Sequence, residues 1–157
     1  MFSMKKVIGL ISDTHGLLRP EAIEAMEGSD MIIHAGDVGD LGVLETLNRI
    51  APVVAVRGNT DNSNFGRSLP FKETVQIEET HIYVLHNLFE LDIDIDQKLF
   101  QCVVSGHTHQ PNKQIKDGVL FLNPGSAGPR RFQLPVSVAK LTLLEEIMDF
   151  QLIELLS

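Results

Sequence analysis

Residue types that bind metals and phosphates recur at similar places along this chain: Asp13-Thr14-His15, Gly36-Asp37, Gly58-Asn59, His86 and Gly106-His107-Thr108-His109. Each group follows closely on an apolar run rich in β-branched residues. The donors are imidazole, carboxylate and amide, with no thiolate. Such a set suits borderline divalent ions such as Mn²⁺, Fe²⁺ or Zn²⁺ better than a structural zinc–thiolate site. In Asp-x-His and His-x-His, alternate side chains of an extended segment point the same way and can reach one point. The glycines ahead of Asp37, Asn59 and His107 permit the backbone turns that would aim those side chains. Asp13, His15, Asp37, Asn59, His86, His107 and His109 are more ligands than one tetrahedral shell holds, so two metals are the natural count.

These groups need elements to carry them. Lys6–Ser12, Met31–Ala35 and Val53–Val56 read as buried strands. Between them, Pro20–Glu27 starts with Pro at a favoured first helical position, and Leu41–Ile50 places Leu41, Leu44, Leu47 and Ile50 near one helical face. That alternation predicts βαβ units and a parallel sheet. Further on, Glu73–Ile77 and His81–Leu85 read as a hairpin, Asp92–Phe100 as a short helix, and Cys102–Ser105 as a buried strand. Gln114–Lys116, Val119–Leu122, Val136–Leu143 and Asp149–Leu155 read as short strands, with Asp117-Gly118 as a hairpin turn between the first two. A parallel first half and an antiparallel second half predict two sheets face to face with helices outside. Five strands then deliver Asp, Asn or His at their carboxyl ends, where sites form in α/β sheets.

The 157 residues fit one domain, 1–157, with no linker or repeat. Thirteen Lys and Arg stand against 21 Asp and Glu, a formal net charge of −8, without a basic cluster. Duplex nucleic-acid binding draws its affinity from Lys and Arg on phosphates, so a duplex-binding surface is not expected. Bound metal can still supply the local positive charge that a small phosphate ester requires. Cys102 is the single cysteine, which excludes an intramolecular disulfide and fits a reducing cytoplasm. The start MFSMKKVIGLIS lacks the long apolar core of a secretory signal, and no run approaches the about 20 residues of a membrane span.

Asp-Thr-His, Gly-Asp, Gly-Asn, the lone His86 and Gly-His-Thr-His occur in that order, followed by Asn123-Pro124-Gly125-Ser126. Together they resemble the calcineurin-like metallophosphoesterase superfamily, in particular its small bacterial and archaeal phosphodiesterases of the YfcE type, over roughly Val7 to Arg130. The resemblance implies an α/β fold, a four-layer αββα sandwich of two mixed β-sheets flanked by helices. It implies that Asp13, His15 and His109 hold one metal, that Asn59, His86 and His107 hold the other, and that Asp37 bridges both. Mn²⁺ is the favoured ion, with Fe²⁺, Ni²⁺, Co²⁺ or Zn²⁺ also compatible. The implied activity is hydrolysis of a small phosphate ester, most naturally a diester, by hydroxide held between the metals. Asn59 and Thr60 would meet the substrate. Asn59 would donate to a phosphoryl oxygen, and Asp61 would either cap a turn or orient a neighbour of the phosphate. The Asn123–Ser126 turn would close the floor of the site.

Two positions depart from the family pattern. Thr60 stands where many members place a His that protonates the leaving group, so good leaving groups such as aryl esters are favoured. Asn87 follows His86 where Gly is usual. Other polar groups have plainer readings: His34 as a hydrogen-bonded core histidine, His81 and the Arg130-Arg131 pair as surface residues, Asp40 as a helix cap and Cys102 as core. A competing reading is a non-catalytic scaffold of the same fold, as in the retromer subunit. A nuclease of the DNA-repair type is disfavoured by the acidic charge and by the lack of a DNA-capping domain. Oligomeric state and the physiological substrate are not written in the sequence.

Overall fold

The computed structural model describes residues 2–95 and 99–156. Its elements are β1 (Phe2–Ile11), α1 (Pro20–Met26), β2 (Met31–His34), α2 (Leu41–Asn48), β3 (Val53–Ala55), α3 (Asn64–Arg67), β4 (Lys72–Ile77), β5 (Thr80–Leu85), a 3₁₀ turn (Leu88–Glu90), β6 (Cys102–Val104), β7 (Asn112–Lys116), β8 (Val119–Asn123), β9 (Ser137–Glu145) and β10 (Ile147–Glu154). They form two five-stranded sheets, ordered β10-β9-β1-β2-β3 and β4-β5-β6-β8-β7. β1, β2 and β3 run parallel, and so do β5, β6 and β8; the outer strands of each sheet join antiparallel.

Both sheets are therefore mixed, as the family resemblance implies, but they do not divide the chain into a parallel half and an antiparallel half. β9 and β10 return to the first sheet beside β1, and the second sheet has a parallel core of its own. The period-2 pattern explains the layering. Ile8 and Leu10 of β1, Ile82 and Val84 of β5 and Cys102 and Val104 of β6 face inward and form the core between the sheets with Leu141 and Leu143. Ile11, Ile32 and Val138 face the other way, against Ala22 and Met26 of α1 and Val43 and Leu47 of α2. On the outer face of the second sheet, Tyr83, Leu85, Val103 and Val119 are covered by Leu91, Ile95 and Phe100, a 3₁₀ turn and irregular chain rather than a long helix. The helix expected over Asp92–Phe100 falls partly on 96–98, which lie outside the described residues, and 92–95 are not helical.

α1 begins on Pro20 as expected. Asp40 occupies the cap position of α2, yet its side chain makes no capping hydrogen bond. Asp117 and Gly118 both take positive φ in the β7–β8 turn, the pattern of a type I′ hairpin. The β4–β5 hairpin turns on Glu78-Glu79, with Glu78 left-handed. Among the described residues, no helix is long and apolar enough to cross a membrane.

Candidate metal centre

The six parallel strands send their carboxyl ends to one side, three from each sheet. Asp13 and His15 follow β1, Asp37 follows β2, Asn59 follows β3, His86 follows β5, His107 and His109 follow β6, and Asn123–Ser126 closes β8. The two sheets face one another, so these loops meet across the edge of the core.

Backbone geometry, rather than simple extension, aims the ligands. Asp13, His15, Asp37, His107 and His109 all take left-handed φ, between 47° and 72°. Such a conformation costs a residue with a Cβ about 1–2 kcal/mol and concentrates at functional sites. The Asp-x-His and His-x-His pairs thus converge through kinks, where alternation along an extended chain was the expectation. The glycines act differently too. Gly36 is left-handed (φ 103°), but Gly58 and Gly106 serve close approach. A Cβ at Gly58 would stand 2.1 Å from Asp37 Oδ1, and one at Gly106 would stand 2.0 Å from Ser12 Oγ.

The result is a cluster of donors, buried at Asp13, Asp37, His86 and His109, half-buried at His15 and His107 and exposed at Asn59. Asp13 Oδ1 lies 3.3 Å from His109 Nε2, 3.8 Å from His15 Nε2 and 3.9 Å from His86 Nε2. Asp37 Oδ2 lies 3.2 Å from His86 Nε2 and 3.6 Å from His15 Nε2. Asn59 Oδ1 lies 3.0 Å from His86 Nε2 and 3.1 Å from His107 Nδ1. Two groups, Asp13–His15–His109 and Asp13–Asp37–His86, keep one ligand atom from each member within 4.8 Å of the others. The structure brings all seven expected ligands together and sets Asp13, as well as Asp37, between the two groups.

The residues fit divalent metal on their own chemistry. Asp13 Oδ1 is buried without a hydrogen-bond partner among the described residues. His86 Nδ1 is 2.8 Å from the carbonyl of Ala35 and donates to it, so a neutral ring turns an Nε2 lone pair toward Asp37 and Asn59. Acceptors converging in this way call for a positive charge. Burial opposes ionisation of Asp37, but His86 and the Thr60 N–H, 2.9 Å from Oδ1, hold its carboxyl well below the ordinary range. Asp13 is likewise lowered against its burial by His109, His86 and the Ser12 hydroxyl. Burial depresses His86, yet Asp37 and Asp13 draw its pKa above the usual histidine value.

Other polar groups brace these loops. Asp61 is buried and accepts the N–H groups of Val38 (3.2 Å), Gly39 (3.0 Å) and Gly58 (2.9 Å). Of its two expected roles, the turn-holding one matches these bonds: the carboxylate ties the β2 loop to the β3 loop. Thr60 is exposed beside Asn59, and its N–H serves Asp37. His34 is buried as expected. Thr14 Oγ1 donates to Val38 O, so His34 Nε2–H donates to Thr14 while Nδ1 accepts the Gly36 N–H. Burial pushes its pKa down to about 4.

Asn123 donates to Gly106 O and Thr108 Oγ1 and accepts the Gly125 N–H, and Ser126 donates to Asp13 O. The Asn123–Ser126 turn thus joins the β1 and β6 loops. Asn87, at φ −113°, needs no glycine geometry, and its side chain accepts the Phe89 N–H. Cys102 is core, with its thiol pushed up to about 12 by burial. His81 is half-buried in β5, and Arg130 and Arg131 are exposed. The sequence marked His34 as a hydrogen-bonded core residue and Asp61 as a possible turn cap, but not the loops they hold, for which their adjacency to the Asp37 and Asn59 motifs is the available signal.

Known proteins resemble this chain in sequence and fold. Residues 6–146 match the model of the calcineurin-like phosphoesterase superfamily domain. The chain is 36% identical over 154 residues to a probable metallophosphoesterase of Methanocaldococcus jannaschii, covering 90% of this chain and 78% of that one. A structurally and functionally characterised archaeal phosphodiesterase superposes with a TM-score of 0.72 at 26% identity, covering 97% and 100% of the two chains. Vacuolar protein sorting 29 of Cryptosporidium parvum shares the fold, with a TM-score of 0.75 at 23% identity and coverage of 97% and 98%. With a family match across residues 6–146 and a 36% identical relative, this chain belongs to the calcineurin-like phosphoesterase superfamily.

Proposed function

We propose that the protein is a metal-dependent phosphodiesterase whose centre holds two divalent ions, Mn²⁺ foremost, with Fe²⁺, Ni²⁺, Co²⁺ or Zn²⁺ as alternatives. The convergence of Asp13, His15, Asp37, Asn59, His86, His107 and His109 from five loops carries this reading. Asp13, His15 and His109 would hold one ion; Asn59, His86 and His107 would hold the other; Asp37 would serve both. When bound, paired divalent ions lower the pKa of water toward neutrality and offset the charge that builds on phosphoryl oxygens.

The protein's own groups supply orientation. Ala35 fixes the His86 tautomer, and the Thr60 N–H and Ser12 hydroxyl fix the Asp37 and Asp13 carboxylates. With Asn59 Oδ1 turned to the His86 and His107 rings, its Nδ2 is the amide donor left for a phosphoryl oxygen. The substrate is a small phosphate ester rather than duplex nucleic acid, because the chain carries a net charge of −8. Thr60 offers no group that titrates near neutrality, so an ester with a good leaving group is favoured.

The scaffold reading rests on the shared fold of vacuolar protein sorting 29. Five left-handed ligand residues around a buried carboxylate weigh against it, since a surface-only function gives no return for that strain. Metal-stripped protein given back each ion singly, and assayed on aryl phosphomonoesters and diesters, tests the proposal. Hydrolysis of the diester that requires added metal is expected. Equal hydrolysis with and without metal, or none with any ion, would refute it.

A further inference from the structure

On the Asn59–His86 side of the centre, two adjoining hollows of about 240 and 290 Å³ share Arg57, Phe71, His86, Asn87 and Glu90. Asn59 and His86 line the first, so the cleft opens directly on the metal ligands. Its wall is a stacked pair, with the Arg57 guanidinium carbon 4.7 Å from the centroid of the Phe71 ring. Arg57 is pinned there by Nε donating to Asp61 O (3.0 Å) and Nη2 donating to Asn62 Oδ1 (3.3 Å). Its plane is therefore set by the same loop that carries Asn59. Phe71 remains 60% exposed.

Asn87 forms another part of the lining. Its Oδ1 takes the Phe89 N–H and orders the turn that places Glu90 at the cleft. Lys72, farther along, is paired with Asp92. Arg57 bonds carbonyl oxygens, so its positive charge is not cancelled by a carboxylate in those contacts.

We infer that this cleft is a subsite for a planar, hydrogen-bonding ring on the substrate, which makes the substrate class nucleotide-type phosphodiesters rather than alkyl or sugar phosphodiesters. The inference rests on the phosphodiesterase reading above. A nucleobase gains face contact from Phe71 and Arg57, and its edge meets the Asn87 amide, whose Oδ1 is held by the Phe89 N–H and whose Nδ2 is left to donate. An alkyl chain would desolvate the Asn87 NH₂ group and the remaining guanidinium N–H groups without pairing them.

Stacking of a base on an aromatic ring is worth roughly 5- to 150-fold in affinity. The probes are adenosine 5′-monophosphate and ribose 5-phosphate, titrated calorimetrically into the protein as purified and into Phe71→Ala and Phe71→Leu. Wild type should bind the nucleotide more tightly by a factor in that range. The ratio should collapse toward one in Phe71→Ala and stay low in Phe71→Leu, with the melting temperature of both within a few degrees of wild type. Equal affinity for the two probes, no binding of either, or a ratio that survives Phe71→Ala would overturn the subsite. Hydrolysis of bis(p-nitrophenyl) phosphate, followed separately, tests the parent reading. Its absence alongside a retained nucleotide preference would remove the phosphodiesterase reading and leave the ring-binding cleft standing.

Discussion

Replacing Asp61 with Asn separates a brace from a catalyst. The Asp61 carboxylate accepts three backbone N–H groups, from Gly39 at Oδ1 and from Val38 and Gly58 at Oδ2. An amide placed with its oxygen at the Oδ2 position keeps two of these bonds but turns an NH₂ group toward the Gly39 N–H. One buried donor left unmade costs about 1–3 kcal/mol, and two charge-assisted bonds reduced to neutral ones lose about 0.5–1 kcal/mol each. The expected loss is about 2–5 kcal/mol, and at about 2–4 °C per kcal/mol for a chain of this size the melting temperature falls by about 4–20 °C. Calorimetric melting of both proteins, with metal content measured alongside, provides the assay. The β2 loop carries Asp37 and the β3 loop carries Asn59, so metal affinity should fall together with stability. The relative rates on different leaving groups should not change for the activity that remains. An Asp61→Asn protein that melts within 1 °C of wild type, keeps its metal and loses turnover would show that Asp61 acts on the substrate and that the bracing argument is wrong.

Four further outcomes follow from the same contacts. His34 has a folded pKa of about 4 against an ordinary 6.5. Its stabilisation is complete above pH 6.5 and is lost as pH falls toward 4, by about 3 kcal/mol in all. Urea unfolding of metal-free protein at pH 8 and pH 4.5 should show this loss in wild type but not in His34→Gln; equal pH dependence in the two would remove the claim. Imidazoles must shed their protons to ligate, and the raised pKa of His86 strengthens the proton as a competitor. Bound metal and activity should therefore decline together below about pH 6, and full metal retention at pH 5 would contradict the His-rich assignment. Aryl diesters should be hydrolysed faster than alkyl monoesters, an order that equal turnover would refute. Thr60→His should then narrow that gap by supplying an acid worth up to about 10²–10⁴-fold on the poorer leaving group, and an unchanged ratio would show that this position does not reach it.

The residues that meet at the centre were legible because Asp, His and Asn interrupt apolar runs at strand ends, where a buried polar side chain needs a reason. The means of aiming them was not. Asp13, His15, Asp37, His107 and His109 adopt left-handed φ, and nothing local in a non-glycine residue announces that. The two sheets were legible in kind but not in membership. Pairing of Val7 with Thr142 and Leu10 with Ala139 joins residues more than a hundred positions apart, and no periodicity encodes which edge β9 chooses. The Asp117-Gly118 turn was readable from its residue types. The β4–β5 hairpin was readable from its flanking strands but not the geometry of its turn, since glutamate rarely takes the positive φ found at Glu78. For Asp61 the type and the neighbourhood pointed to the site, and only its hydrogen bonds showed that the carboxylate faces the loops.

The proposed centre joins two metals through a shared carboxylate. Its most direct test is anomalous diffraction from Mn²⁺-soaked crystals of wild type and Asp37→Asn. Two manganese peaks are expected in wild type, one beside Asp13, His15 and His109 and one beside Asn59, His86 and His107, both weakened or lost in the variant. A single peak or none in wild type, or two undiminished peaks in Asp37→Asn, would contradict it.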